Sequence, residues 1–279
     1  MMMERLRYYL SAIWAENLKE WKIELSYKVD FIRGFFEPFV FVLPYLLYGL
    51  ALVGGRHSSS LLKLTGTGDI ITFVVIGYIF MGFLNTALWG MGFALRKEQY
   101  YGTLESIFVS PLPRWIYVGG MALHSTMHQG LIIVIQMILI HSIFRLIFDI
   151  GGLLPSLIVI AIMLVALYGL GMMIAALALI YKQGWVISEA LYSLISIITP
   201  IAYPISVLPL FLQKISKLLP TTYGILTVRH FLIGEEMGFS VGTSLARLFV
   251  LSMVWITFGL FIFSVVDRKT RMEGTLAHY

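Results

Sequence analysis

No cysteine occurs in the 279 residues. Disulfides, thiolate metal sites and a cysteine nucleophile are thereby excluded, and cysteine usage gives no sign of the redox compartment. Charge is scarce too: Asp, Glu, Lys and Arg make up 13% of the chain, against about 25% in soluble domains. The run G-x-x-x-x-G-K-[ST] is missing, and with it the backbone cradle that would let this chain bind ATP itself. No serine–histidine–acid set is recognisable from spacing alone, which does not by itself exclude an enzyme. The N-terminus lacks a short apolar core followed by a small-residue cleavage site, so no cleaved signal peptide is expected. No internal repeat, low-complexity tract or soluble domain is evident.

What the chain has in abundance is apolar surface, with 59% hydrophobic residues and a mean hydropathy of +0.87. So much apolar surface needs lipid around it, and the predicted fold class is an all-α polytopic membrane protein. A helix satisfies its own backbone inside a bilayer and crosses it in about twenty residues. Six transmembrane helices are predicted, at approximately 33–53, 70–94, 117–143, 154–180, 186–205 and 246–266. Thr199-Pro200 and Tyr203-Pro204 interrupt the fifth, which should kink or end early because proline removes a donor and clashes with the preceding turn. Gly169, Gly171 and Ala175 suit close helix packing in the fourth.

Basic residues set the orientation. Thirteen lie on one side, from Arg5, Arg7, Lys19, Lys22, Lys28 and Arg33 through Arg96, Lys97, Arg114 and Lys182 to Arg268, Lys269 and Arg271; seven lie on the other, including Arg56, Arg145 and Arg229. The positive-inside rule then puts both termini and the 96–114 segment in the cytoplasm. The net charge of +5 is read as this loop bias, with no nucleic-acid partner. Residues 1–32 form an amphipathic helix whose Leu6, Leu10, Ile13, Trp14, Leu18, Trp21 and Leu25 share a face, suited to the lipid headgroup layer. Between spans five and six, 206–245 is apolar but broken by Pro209, Pro220 and Gly224. Its pieces are too short to cross and read as outer re-entrant helices.

Polar groups within the spans are few: Glu37, Asn85, Gln136, Glu189 and Thr199. Intramembrane charge invites a functional reading, although Glu37 and Glu189 lie within about a turn of their span ends, where side chains reach water. Asn85 and Gln136 are deeper and suit interhelical hydrogen bonds as well as pathway lining. His124 and His128 stand one helical turn apart, but Ser125 occupies the place of a zinc protease's glutamate, and a third ligand could come only from distant His141 or Asp149. No metal is expected.

The segment from Arg96 to Arg114 is the longest polar interruption between spans that still looks built for docking. It reads as one short helix, with Glu98 and Glu105 as charged anchors, Leu104, Ile107 and Phe108 as an apolar face, and Gly102 permitting a bend. Ser110-Pro111-Leu112-Pro113 then stops it.

Gly102-Thr103-Leu104-Glu105 with Ser110-Pro111, then Gly119-Gly120, and further on Pro200-Ile201-Ala202-Tyr203-Pro204, Leu208-Pro209, Leu219-Pro220 and Arg229 occur in an order similar to the type-2 permease family of ABC transporters, the type V exporter class. The resemblance covers nearly the whole chain. The Pro111/Pro113 repeat, and glycines at 119–120 where a basic residue is common, depart from the family pattern.

The resemblance implies two permease subunits, as homodimer or heterodimer, on two ABC ATPase subunits that carry ATP and magnesium. This chain would bind no cofactor of its own. It implies that 96–114 contains a coupling helix using Glu98, Gly102, Thr103, Leu104, Glu105, Ile107 and Phe108. A pathway at the dimer interface would run along spans two and five, with Asn85, Tyr192, Ser196, Thr199 and Tyr203 as lining residues. The sequence Tyr27-Lys28-Val29-Asp30 before the first span favours a drug-like, lipid or other amphipathic cargo over a polysaccharide. A separate permease of this kind implies a prokaryotic plasma (inner) membrane. The alternatives are a polytopic membrane enzyme, a lipid-modifying transferase or protease using His124, His128 and Glu189, or a secondary carrier, which would show inverted repeats.

Overall fold

The computed structural model describes residues 2–181 and 184–273, without the side chains of Met2, Glu105, Phe108, Arg271 and Glu273. Lys182 and the Arg271 side chain, both used in the charge count, lie outside the described residues. Among those residues the chain is helical throughout and has no strand. The order is α1 (Met2–Ser26), α2 (Lys28–Val53), α3 (Ser59–Thr65), α4 (Ile70–Asn85), a π-helical turn (Thr86–Met91), α5 (Ala94–Tyr100), α6 (Leu104–Val109) and α7 (Arg114–Phe144). It continues with α8 (Leu153–Tyr181), α9 (Gly184–Ile198), α10 (Leu210–Ser216), α11 (Pro220–Ile233) and α12 (Val241–Glu273).

Five stretches are long and apolar enough to cross a bilayer: Lys28–Val53, Ile70–Met91, Arg114–Phe144, Ile150–Tyr181 and Val241–Thr270. The fifth predicted span differs. Its helix α9 has 15 residues, about 22 Å of rise against about 30 Å of hydrocarbon. Pro200 stops it: the residue before a proline is pushed out of the helical region.

Close backbone approach holds the spans together. A Cβ on Gly169 of α8 would lie 2.2 Å from the Trp255 carbonyl oxygen, and one on Gly259 of α12 would lie 2.0 Å from the Gly169 oxygen. Only glycine permits that contact. Leu88, Met163, Leu167 and Ile174 fill the layer beside it and are wholly buried.

The end of the bundle near α3 is fixed by Arg56. Its guanidinium forms a bidentate pair with Asp69, at 2.9 and 2.7 Å, and donates to the Phe144 and Arg145 carbonyls at 2.6 and 3.1 Å. Asp69 also caps α4 by accepting from the Ile71 amide. Burial works to raise the Asp69 carboxyl, but Arg56 and Thr72 together hold it below its usual value.

Arg229, counted among the outer-side charges by its sequence position, is 0% exposed in α11. It donates to the Pro200 carbonyl at 2.7 Å, to the Phe73 carbonyl at 2.8 and 3.1 Å, and to the Ile201 carbonyl. Its guanidinium also sits 3.5 Å from the centre of the Phe73 ring. The carbonyls left open where Pro200 breaks the chain thus find a cation at the negative end of α9.

Helix α1 inverts the usual arrangement. Leu6, Leu10, Trp14, Leu18 and Leu25 are exposed, while Asn17 and Glu20 are buried. The buried side packs on α7, where a Cβ on Gly120 would meet the Glu16 Cβ at 2.5 Å, and Tyr9 stands edge-on to Trp115. An apolar face turned outward and a polar one turned inward suit a helix with lipid on its outer side.

Candidate functional site: a polar-anchored loop and a deep aromatic cavity

Two features share one end of the bundle. The first is the connection from α4 to α7. The sequence suggested one helix; the chain forms two, α5 and α6, separated at Tyr101-Gly102-Thr103. Gly102 supplies the break at φ +70°, in the left-handed region. Glu98 then turns inward. Its Oε1 accepts from Lys19 at 2.9 Å and from the Tyr117 hydroxyl at 2.6 Å, and its Oε2 accepts from the Thr103 hydroxyl. Burial works to raise the Glu98 carboxyl, but these three donors and the Lys19 charge hold it below its usual value.

Lys97 pairs with Glu20 of α1 at 2.5 Å, and Lys19 reaches Glu16 at 2.6 Å and Glu20 at 3.3 Å. One oxygen each of Glu16, Glu20 and Glu98 lie within 4.8 Å of one another. The two lysines account for that crowding of carboxylates. Burial favours the neutral Lys19 amine, yet Glu16 and Glu98 more than reverse this and hold its pKa above the usual range.

Leu104 also faces inward, 7% exposed, in a cluster with Leu95, Tyr117, Val118 and Met121. Ile107 is half-buried against the same cluster. The surface turned outward is carried by Tyr100, Tyr101 and Val109, which are 79%, 65% and 86% exposed. The side chains of Glu105 and Phe108 lie outside the described residues.

The second feature is a cavity of about 1170 Å³ bounded by α1, α2, α4, the π turn, α7 and α9. It extends from Tyr78 in α4 to Lys97 in α5, roughly 28 Å at helical rise. The π turn lies midway, contributing Thr86, Trp89 and Gly90 to the wall. Such turns hold an extra residue and recur at functional sites. Behind the wall, glycines bring α7 close: a Cβ on Gly82 would meet Gln129 at 2.1 Å and one on Gly90 would meet the Ser125 hydroxyl at 2.6 Å.

Asn85, Tyr192 and Ser196, three of the predicted pathway residues, line this cavity together. The other two do not. Thr199 is buried with its hydroxyl 3.1 Å from that of Thr221, and the Tyr203 hydroxyl donates to the Ile197 carbonyl. Sequence reasoning passed over Tyr45, Tyr78, Trp89 and Gln129. The spacing of Gly82 and Gly90, two turns apart on one helix, was the available signal for a close-packed wall.

His124 and His128 also face the cavity. Glu24 of α1 bridges them, with its two oxygens 3.1 and 3.3 Å from the two Nε2 atoms. Nothing in the local sequence signals this, because Glu24 comes from another helix. Burial pushes the Glu24 carboxyl up, but the hydrogen bond with His124 and the charges around it leave it below its usual value.

No curated protein matches the chain. The family model for ABC-2 type transporters matches residues 9–233, from within α1 to the end of α11. The chain therefore belongs to the ABC-2 type transporter family, as a multi-pass membrane permease with no ATP-binding motif of its own.

Proposed function

We propose that this chain is the permease subunit of an ATP-driven exporter, working with a second permease subunit and two ABC ATPase subunits that bind ATP and magnesium. The observation that carries this reading is the loop between α4 and α7: it buries Glu98 and Leu104 against its own bundle while exposing Tyr100, Tyr101 and Val109. An exposed apolar edge on a rigidly anchored loop suits reception of a partner's push. A loose surface loop would absorb it. On this reading, Glu98, Thr103, Leu104 and Ile107 set the loop's pose, Gly102 shapes its bend, and Glu105 and Phe108 complete the coupling helix.

The finer topology follows. Both termini and the coupling loop lie in the cytoplasm, by the positive-inside rule, and the membrane is the plasma membrane of a prokaryote. Helix α9 counts as an incomplete fifth span of six, with α10 and α11 as re-entrant helices capping the outer face. The pathway passes along Asn85, Tyr192 and Ser196, with Thr199 and Tyr203 at its outer end, beside the partner permease. The cargo is an amphipathic small molecule or lipid. ATP drives transport only if the ATPase pair has unequal affinity for two permease states.

Copurification with candidate ABC ATPases from the same genome tests this reading. The native chain should capture an ATPase whose turnover responds to it, and Val109→Asp and Tyr101→Asp should abolish capture while the permease stays monodisperse. A folded permease that captures none, or is indifferent to both substitutions, overturns the reading.

A further inference from the structure

The chain as a whole carries a net charge of +5, yet its cavity is acidic. Glu20, Glu24, Asp30, Glu37 and Glu189 line it, against only Arg33 and Lys97 as permanent cations. Lys97 is already engaged by Glu20 at 2.5 Å, and Arg33 lies between Asp30 at 3.4 Å and Glu37 at 3.5 Å. One carboxylate of that trio is thus left over. Among the described residues Glu189 has no ion-pair partner, and Glu24 is shared between the imidazoles of His124 and His128. A sparsely charged protein that gathers uncompensated carboxylates around one cavity, with Glu37 and Glu189 on its water-accessible side, concentrates negative potential there.

The deeper wall is aromatic: Tyr45, Tyr78, Trp89, Phe93 and Tyr192 surround the polar groups. Aromatic faces attract cations and also bury apolar bodies. Gln136 adds a third element. It is 3% exposed, borders the cavity, and its amide nitrogen has no hydrogen-bond partner. A buried donor without a partner is costly, and a polar group on a bound molecule would satisfy it. The volume, about 1170 Å³, lies just above the roughly 300–1,000 Å³ typical of small-molecule sites.

The geometry points to an amphipathic organic cation as the occupant: an apolar, ring-bearing body against the tyrosines and Trp89, with its positive group toward Glu37 and Glu189. This rests on the exporter reading for its biological sense, as the cargo class, but the binding claim stands on the cavity alone. An anionic lipid or sugar phosphate would meet the same carboxylates as repulsion.

Tetraphenylphosphonium and tetraphenylborate, near-identical in shape and opposite in charge, are the probes. Each is titrated onto the permease in nanodiscs of neutral lipid, with empty nanodiscs subtracted. The native chain should bind the phosphonium saturably and at least tenfold more tightly than the borate. Glu37→Gln and Glu189→Gln should each weaken the phosphonium several-fold, and more so together. Equal binding of the two ions by the native chain, which needs no variant to fold, overturns the proposal. So does unchanged phosphonium affinity in the folded double variant. If the ions bind alike while an ATPase is still captured, the cargo class fails and the exporter stands. If the cation is selected but no ATPase is captured, the cavity assignment survives and the exporter reading fails.

Discussion

At both ends of the bundle a helix that does not cross the membrane is tied to the spans, and the two ends use opposite chemistry. Helix α1 is joined to α5 by Lys19 with Glu98 and by Lys97 with Glu20, while Glu16 and Glu20 of α1 itself also reach Lys19. These pairs are wet on the lysine side only: the Lys19 and Lys97 side chains are 38% and 29% exposed, and their partners Glu98 and Glu20 are 8% and 3% exposed. At the other end a single cation, Arg229, with no exposure at all, serves carbonyls from α4 and from the break after α9. Shared ion pairs near water can trade partners as helices shift. A guanidinium whose donors are fixed on backbone oxygens cannot, because each lost bond leaves a buried group unsatisfied. The contrast assigns compliance to the joint between α1 and α5 and rigidity to the α11 end, while the loop itself stays fixed on α7 through Glu98 with Tyr117 and the buried Leu104.

The largest effect is expected at Arg229. Arg229→Met should cost about 3–5 kcal/mol, the range for breaking a buried charged hydrogen-bond set, read as a lowered denaturation midpoint in detergent. Arg229→Lys keeps charge but not the fork and should recover only part of that loss. If Met is tolerated as well as Lys, the α11 end is not the rigid one.

Next in size is Glu98→Gln. It leaves an acceptor for Tyr117 but removes the charge facing Lys19, for a loss of about 1–2 kcal/mol. Spin labels on α1 and α5 should report a broadened distance distribution, with no change at α11.

The two ends should also part in pH. Glu98 is held below its ordinary value of 4.5, so its contribution is complete above that pH and disappears as pH falls through the lower folded-state value. Acid should therefore release α1 from α5, read by the same labels. Glu235, buried beside Arg229 at 3.9 Å, shows the reverse. Burial pushes its carboxyl up to about 7 despite the Arg229 charge. Folding keeps that proton, so the contribution is present in acid and declines as pH rises from 4.5 towards 7. Melting curves should show this slope in the native chain, and Glu235→Gln should flatten it.

The smallest effect belongs to Lys97→Ala. A partly exposed pair contributes about 0–1 kcal/mol, and added salt should shrink the difference from the native chain. A salt-independent loss would mean that Lys97 is more deeply committed than its exposure suggests.

The residues explain what sequence could and could not convey. Five spans were legible because hydropathy over twenty residues is a one-dimensional property. The close contact at Gly169 was legible because small residues on one helix announce it; its partner Gly259 was not singled out. Thr199-Pro200 announced the end of α9. Other features depend on which helices meet. Glu98 read as an exposed anchor because its partners Lys19 and Tyr117 lie on separate helices. Arg229 read only as one of the outer-side charges because the carbonyls it serves have no sequence signature. Leu104 read as part of an outward face, although α7 covers it. The cavity gave up Asn85, Tyr192 and Ser196 to polarity within spans, while Tyr45, Tyr78 and Trp89 looked like ordinary membrane aromatics. The π turn has no pattern that hydropathy detects.

That turn has a consequence for how the molecule can be altered. Thr86–Met91 holds one residue more than an α-helical turn would, and its wider turn absorbs that residue, so the helix on its far side keeps its direction. Deleting one residue there would let the backbone close into continuous α-helix and leave Lys97 and Glu98 still facing α1. Deleting one from the α-helical part of α4 would instead swing everything beyond it by about 100°, turning Lys97 and Glu98 away from α1 and exchanging outside for inside at Tyr100 and Tyr101. A codon lost at the turn is tolerated, whereas one lost a turn or two earlier leaves a well-formed membrane helix whose handle faces the wrong way.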